Sequence, residues 1–310
     1  MTDHEPTPAE GAAPEGFRSG FVAVVGRPNV GKSTLVNRIV GRKVAIVSDK
    51  PQTTRNEIRG VRTTDSTQIV FLDTPGVHKP RTLLGERSNQ RALSTLAGVD
   101  VVCVVVESNA PIGPGDKFVA AAAQESGSPV VLVVSKVDVA RGDDIAAQLT
   151  RAAELGDFAA FVPLSARSGV GVDALVGELE SRLPEGPRYY PEGVVTDQPE
   201  AFLAAELLRE QLLKVAREEL PHSIMVVVDE IEERETASGP LLASHARVLV
   251  ERDSQRGIVV GKGGEVLKKA GTAARLELEK LLGTRVHLET RVRVEPRWQR
   301  RAQSLDRLGL

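Results

Sequence analysis

The sequence predicts an α/β fold, a mostly parallel sheet with helices on both faces, followed by a smaller α+β domain. Three observations predict it. Five nearly continuous β-branched runs stand at 21–25 (FVAVV), 68–73 (QIVFLD), 100–107 (DVVCVVVE), 129–135 (PVVLVVS) and 158–166 (FAAFVPLSA). Unbroken apolar strands of this kind belong to a parallel sheet buried on both sides. Between them lie segments with helical spacing, such as 115–126 (GDKFVAAAAQES) and 171–183 (GVDALVGELESRL), which gives the alternation of an α/β unit. Beyond a proline-rich stretch at 183–200 the order of elements changes.

Taken in order, residues 1–20 are acidic and rich in Pro, Ala and Gly, with no apolar core; they read as a disordered tail and not as a signal peptide. The sheet domain is assigned to 21–183, with 57–65 (EIRGVRTTD) as an added antiparallel strand beside 68–73. Four prolines in LPEGPRYYPEGVVTDQPE prevent a continuous helix, so 184–200 is the linker, apolar enough to pack along a surface. Residues 201–310 then read as a helix (201–219), a strand (223–234), a Gly/Pro loop (236–244), a strand (246–252), two helices broken around 261–264, a strand (285–295) and a short terminal helix. Only 3% of residues are aromatic, so both cores must be built from Val, Leu, Ile and Ala. No apolar run approaches the roughly 18–20 residues of a spanning helix. The single cysteine, Cys103, excludes an internal disulfide and reads as a buried, inert thiol in a reducing, cytoplasmic protein.

Gly26-Arg27-Pro28-Asn29-Val30-Gly31-Lys32-Ser33 matches G-x-x-x-x-G-K-[ST], with a strand before it and a helix opening at Thr34 after it. Glycines let several backbone N–H groups face phosphates, and the helix N-terminus adds partial positive charge. Lys32 reaches the β/γ oxygens and the Ser33 hydroxyl suits Mg²⁺. Asp73-Thr74-Pro75-Gly76 ends the run at 68–73: the carboxylate can hold the metal and the Gly76 N–H can meet a γ-phosphate. Ser135-Lys136-Val137-Asp138 ends the run at 129–135. Asp138 can accept two hydrogen bonds from guanine N1–H and its 2-amino group, a donor pair that adenine lacks. Ser165-Ala166-Arg167 ends the next run, with the Ala166 N–H placed for guanine O6.

In that order these motifs resemble the translation-factor class of P-loop GTPases. Pro51-Gln52-Thr53-Thr54-Arg55-Asn56, the YYP linker at 189–191, and the late pair GIVVGKGG (257–264) and RVHLETRVRVEPRW (285–298) are similar to the Era family within it, over residues 20–308. The resemblance implies a protein that binds GTP and GDP, hydrolyses GTP, and grips small-subunit ribosomal RNA near its 3′ end to assist assembly of the small ribosomal subunit. Peripheral attachment to the inner face of the cell membrane is a trait of that family; no strong amphipathic anchor stands in this sequence, and a monomer is expected. One departure is Ser135, where the family usually has Asn. Ser is shorter and keeps one hydroxyl, which predicts retained guanine selectivity through Asp138 with weaker nucleotide binding.

For hydrolysis, Lys32, Ser33, Asp73, Gly76 and a switch threonine are the expected machinery. Thr54 is favoured over the adjacent Thr53 as the metal ligand, with the choice open. Ras-like enzymes place a water-positioning Gln where this chain has Val77, which can neither orient nor deprotonate water, so slow turnover is expected. His78 reads as an exposed loop residue. Asn29 offers another route, because in some related GTPases an Asn here helps hold K⁺ beside the phosphates.

Gly261-Lys262-Gly263-Gly264, within an α-β-β-α-α-β order, gives a KH domain of prokaryotic type. The loop lets nucleic-acid backbone approach, with Lys262, Lys268 and Lys269 placed for phosphates and Ile258, Val259 and Val266 open between groove and core. Trp298 is open between stacking on a base and capping the core. A nucleotide kinase would need a lid and a substrate-binding site, and the DTPG and SKVD motifs argue against it; a tRNA-modification GTPase of related type carries its GTPase inside a helical domain, which this sequence does not show. An RNA-binding module without hydrolysis is disfavoured by Lys32, Ser33 and Asp73. The formal charge of −2 conceals a contrast: residues 185–246 carry 5 basic and 13 acidic groups, and 247–301 carry 14 and 7. The basic stretch around GKGG predicts a salt-sensitive RNA contact.

Overall fold

Valine-rich strands bury on both sides only when helices cover both faces, and that is how the first sheet is built. The computed structural model describes residues 13–50, 52–215, 220–237 and 239–310. Its first elements are β1 (Arg18–Gly26), α1 (Lys32–Val40), β2 (Ile58–Thr63), β3 (Thr67–Asp73), α2 (Leu83–Ser94), β4 (Val101–Glu107), α3 (Pro114–Glu125), β5 (Val130–Ser135), α4 (Gly142–Ala153), β6 (Ala160–Pro163) and α5 (Val172–Arg182). The sheet order is β2-β3-β1-β4-β5-β6. Only β2 runs antiparallel, as expected for 57–65. Along β1, Val22 and Val24 enter one core with Cys103, Val105, Val131 and Val133, while Ala23 and Val25 enter the opposite core with Val102, Val104 and Leu132. Cys103 is buried and its thiol is pushed up to about 12, consistent with an inert side chain.

The tail reading needs a correction. β1 begins at Arg18, inside the stretch assigned to the tail, and Phe17 is buried. Arg18 donates to the carbonyls of Ser181 and Leu183, and the buried Ser19 hydroxyl donates to Pro187. Polar residues enter the strand because the end of α5 and the segment after it supply their acceptors. Residues 1–12 of that reading lie outside the described residues. The linker packs along the same unit: Gln68, fully buried, accepts from the Tyr189 and Tyr190 N–H groups and donates to the Tyr190 carbonyl.

The chain divides into two compact units. The first comprises the chain up to Ala45, Thr54–Lys79 and Arg87–Asp197; the second comprises Ile46–Thr53, Pro80–Glu86 and Gln198–Leu310. The later elements are α6 (Glu200–Val215), α7 (Leu220–Ser223), β7 (Met225–Thr236), β8 (Gly239–Val250), α8 (Asp253–Val260), α9 (Glu265–Leu282), β9 (Arg285–Val294) and α10 (Ala302–Arg307). Strand order is β7-β8-β9, with β8 antiparallel to β7 and parallel to β9. The expected Gly/Pro loop at 236–244 is largely strand: β8 starts at Gly239, whose φ of +98° closes a tight hairpin, and Pro240 is tolerated because it sits at the strand's beginning. The expected helix at 201–219 is described only to Val215; 216–219 lie outside the described residues. Trp298 is fully buried with Met225, Leu249, Leu305 and Leu310, and its Nε1–H donates to the Ser223 carbonyl at 3.1 Å. It caps the core and cannot stack on a base. Among the described residues no helix is long and apolar enough to cross a membrane.

Candidate functional site

Parallel strands place their carboxyl ends on one edge, where open α/β sheets bind ligands. β1 ends at Gly26, β3 at Asp73 and β5 at Ser135, with Val24 paired to Asp73 and Glu107 to Ser135. The loop from Gly26 to Gly31 leads straight into α1. Lys32 is buried, and its Nζ donates to the Gly26 and Arg27 carbonyls at 3.1 and 3.0 Å, so the ammonium is folded over the loop. Burial lowers its pKa to about 8, against the opposing pull of Asp73. Arg27 is committed sideways: its Nε donates to Asp116 Oδ1 at 2.8 Å, and Asp116, almost wholly buried, also accepts from the Gly113 N–H. Asp116 belongs to no motif, so the sequence carried no signal for it. Val30 packs in the core, Asn29 is exposed at φ +65°, and Pro28 lies against Gly76. A Cβ on Gly76 would fall 2.6 Å from Pro28 Cα, so only glycine allows that approach.

Three oxygens converge beside the loop. Ser33 Oγ donates to Asp73 Oδ2 at 2.6 Å and lies 3.0 Å from Thr54 Oγ1. Burial raises the Asp73 carboxyl to about 6, despite Lys32 and the hydroxyls of Ser33 and Thr54. Asp73 Oδ1 is buried without a hydrogen-bond partner. An all-oxygen set with an orphaned carboxylate oxygen is the donor chemistry of a hard cation such as Mg²⁺. Thr53 faces elsewhere: its hydroxyl donates to the Lys50 carbonyl and its own carbonyl accepts from Arg209, a fully buried guanidinium that also pairs with Glu206. Arg209 was not anticipated, because nothing in a helical run marks one arginine as buried. Thr74 is structural in its side chain, donating to the Val24 carbonyl. Pro75 and Val77 are buried, and the Val77 N–H donates to the Gly26 carbonyl. His78 is half-buried, not exposed as expected: its Nδ1 lies 2.9 Å from the Gly76 carbonyl and its backbone exchanges hydrogen bonds with Asn89.

At the far end of the edge, Ser135 is buried and its hydroxyl faces the carbonyls of Val30 at 2.6 Å and Val106 at 3.0 Å. One proton serves two acceptors, so this residue braces the phosphate loop and has no donor left for a base. Lys136 sits at φ +60°, its carbonyl held by the Ser108 hydroxyl and its Nζ 3.0 Å from Glu107. The Val137 N–H donates to the Leu164 carbonyl, which joins this turn to the one carrying Ser165, Ala166 and Arg167. Ser165 is buried and accepts from the Ser168 N–H, Ala166 is half-buried, and Arg167 and Asp138 are exposed. Ser135→Ala is expected to weaken nucleotide binding 5- to 30-fold, the roughly 1–2 kcal/mol of one buried hydrogen bond, measured by titration with a fluorescent nucleotide.

In the second unit, α8 ends at Val260 with Gly261 as its cap, and Lys262–Gly264 forms a single tight turn before α9. Gly263 lies at φ +61° with nothing within 4 Å of a Cβ. Lys262, Lys268 and Lys269 are exposed. A groove of about 470 Å³ opens here, lined by Gly264, Lys268, Thr272 and Arg275 on one wall and His287–Thr290 of β9 on the other. Of the residues left open between groove and core, Val259 is core, Val266 lies under Gly261 and Ile258 is exposed; none of the three lines this groove. The β9 wall was missed because HLET reads as an ordinary strand.

The comparisons agree with this geometry. Residues 21–136 match the family described as 50S ribosome-binding GTPase, and 219–299 match the KH domain. GTPase Era of Mycobacterium avium (strain 104) is 50% identical over 296 residues, covering 94% of this chain and 99% of the relative. GTPase Era of Mycobacterium tuberculosis (strain ATCC 25177 / H37Ra) is 50% identical over 297 residues with the same coverage, 94% and 99%. Among solved structures, an Aquifex aeolicus Era variant bound to GDP and AlF4⁻ aligns with TM-score 0.89 at 36% identity, covering 94% of this chain and 98% of that one. Era in complex with MgGDPNP and nucleotides 1506–1542 of 16S ribosomal RNA aligns with TM-score 0.87 at 35% identity, covering 94% and 98%. The chain belongs to the Era family of GTPases.

Proposed function

We propose that this protein is a GTP-driven switch that binds small-subunit ribosomal RNA near its 3′ end through the KH unit and assists assembly of the small subunit in the cytoplasm. The observation that carries the nucleotide half is the convergence of Ser33, Thr54 and Asp73 beside a buried Lys32. The RNA half is supported by the groove that opens at GKGG, with the exposed Lys262, Lys268 and Lys269 beside the turn, and by the relative solved with 16S RNA. Ser33, Thr54 and Asp73 would hold Mg²⁺, which supplies charge neutralisation at the phosphates. Lys32 brings a second positive charge, and the N–H groups of the loop and of Gly76 meet the phosphate oxygens. Water adds at the γ-phosphorus as the bond to the bridging oxygen breaks, releasing GDP and phosphate. No side chain at Val77 can orient that water, since it is packed in the core, so intrinsic turnover is slow.

Thr54→Ala is expected to raise the Mg²⁺ concentration for half-maximal turnover at least tenfold, whereas Thr53→Ala changes it by less than threefold. Comparable effects would reverse the assignment. In the free protein Asp73 protonates below about pH 6, so Mg²⁺ affinity should fall there as pH drops. For RNA, Gly263→Asp is the test. A Cβ there would meet no atom within 4 Å, and aspartate is among the residues that tolerate a positive φ, so the fold should be retained. Its carboxylate stands where phosphates pass, and crosslinking to 16S RNA should be lost.

A further inference from the structure

Several arginines of the second unit are already paired, such as Arg247 with Asp229, Arg275 with Glu279 and Arg307 with Glu295. Arg252, Arg297 and Arg300 differ. Among the described residues none of the three makes an ion pair, yet all line one concavity of about 410 Å³ together with Glu251 and Pro296. Glu251 lies among them but pairs with none, and one carboxylate does not balance three guanidiniums, an excess of positive charge that favours an anionic occupant. The backbone at Arg297 sits at φ +55°, between Pro296 and the fully buried Trp298. This concavity shares no residue with the groove at GKGG. Arg252 precedes α8 and GKGG follows it, and eight residues of helix separate them by about 12 Å.

We propose that Arg252, Arg297 and Arg300 form a second phosphate site, which holds RNA backbone beyond the nucleotides in the GKGG groove. The proposal rests on the RNA-binding reading above. A KH groove clamps about four nucleotides, so a longer RNA must place phosphates elsewhere. Guanidiniums suit them because each planar fork donates two parallel hydrogen bonds to a phosphate. Glu251 supplies an acceptor for a ribose 2′-hydroxyl, which RNA has and DNA lacks. A lipid headgroup is the weaker fit. Lipid-surface sites set cations beside an apolar face, and among the described residues none of the exposed large apolar side chains of this unit, Val47, Val215, Ile258 and Leu276, lines the concavity.

The test uses the full chain and two fluorescent RNAs: a single-stranded hexamer sized for the GKGG groove, and a 37-nucleotide RNA of the span in the solved relative, nucleotides 1506–1542 of 16S ribosomal RNA. The triple variant R252Q/R297Q/R300Q should bind the 37-mer about 10- to 100-fold more weakly at 150 mM salt. The slope of log affinity against log salt should fall by about 2–3, near one per lost phosphate contact. Hexamer affinity, thermal midpoint and GTP turnover without RNA should be unchanged. R252K/R297K/R300K should recover the salt slope. An unchanged slope and 37-mer affinity overturn the second site while leaving RNA binding intact; failure of the wild type to bind either RNA overturns the RNA reading itself. Selective loss of binding to phosphatidylglycerol vesicles, with 37-mer binding retained, overturns the proposal and assigns the site to a lipid.

Discussion

Lys32→Ala is expected to lower GTP turnover about a thousandfold, with the fold intact by circular dichroism. The ammonium is the one cation buried within the phosphate loop, hydrogen-bonded to Gly26 and Arg27, and the low-dielectric setting that depresses its pKa to about 8 also strengthens its hold on phosphate charge. Removing one preorganised donor from such a site costs about 3–4 kcal/mol of transition-state stabilisation, or 10²–10³ in rate. Arg27 cannot substitute, because Asp116 holds it. The same pKa sets a pH limit. As pH rises through about 8 the free protein loses the Lys32 charge, so nucleotide affinity should decline above that point. A Lys32→Ala variant that turns over within tenfold of wild type would remove Lys32 from the machinery.

Asp138→Ala is expected to reduce the preference for GTP over ATP by 10²–10⁴, measured by competition against a fluorescent guanine nucleotide. With Ser135 spent on the Val30 and Val106 carbonyls, the family's usual amide contact to the base is missing, and discrimination falls on the Asp138 carboxylate. Two charge-assisted hydrogen bonds, unavailable to adenine, account for that range. The aspartate is exposed at the edge of the site, so its loss should leave the thermal midpoint within a degree or two. Equal losses for GTP and ATP would show that Asp138 supports the loop and does not read the base.

What the sequence revealed and what it hid follow from how each feature is built. The phosphate loop, Asp73-Thr74-Pro75-Gly76 and the turn at Asp138 were legible because their chemistry needs adjacent residues at strand ends. The choice between Thr53 and Thr54 was not, since neighbouring hydroxyls differ only in where the backbone points them; the fold puts Thr54 beside Ser33 and ties Thr53 to Lys50 and Arg209. The assignment of Ile46–Thr53 and Pro80–Glu86 to the second unit depends on contacts with residues far along the chain, which no local pattern encodes. In the KH unit the GKGG turn was readable from its glycines, whereas the opposite groove wall at His287–Thr290 comes from strand pairing. The basic stretch was visible as charge, but which arginines are neutralised depends on acidic partners that only the fold assembles.

The coupling of the two units is the central claim, and GTP turnover by the full chain with and without the 37-nucleotide 3′-terminal 16S RNA tests it most directly. Turnover should change at least fivefold on saturation with that RNA, and Gly263→Asp should keep the basal rate while losing the response. Identical rates with and without RNA, under conditions where binding is independently observed, would contradict a GTP switch governed by small-subunit RNA.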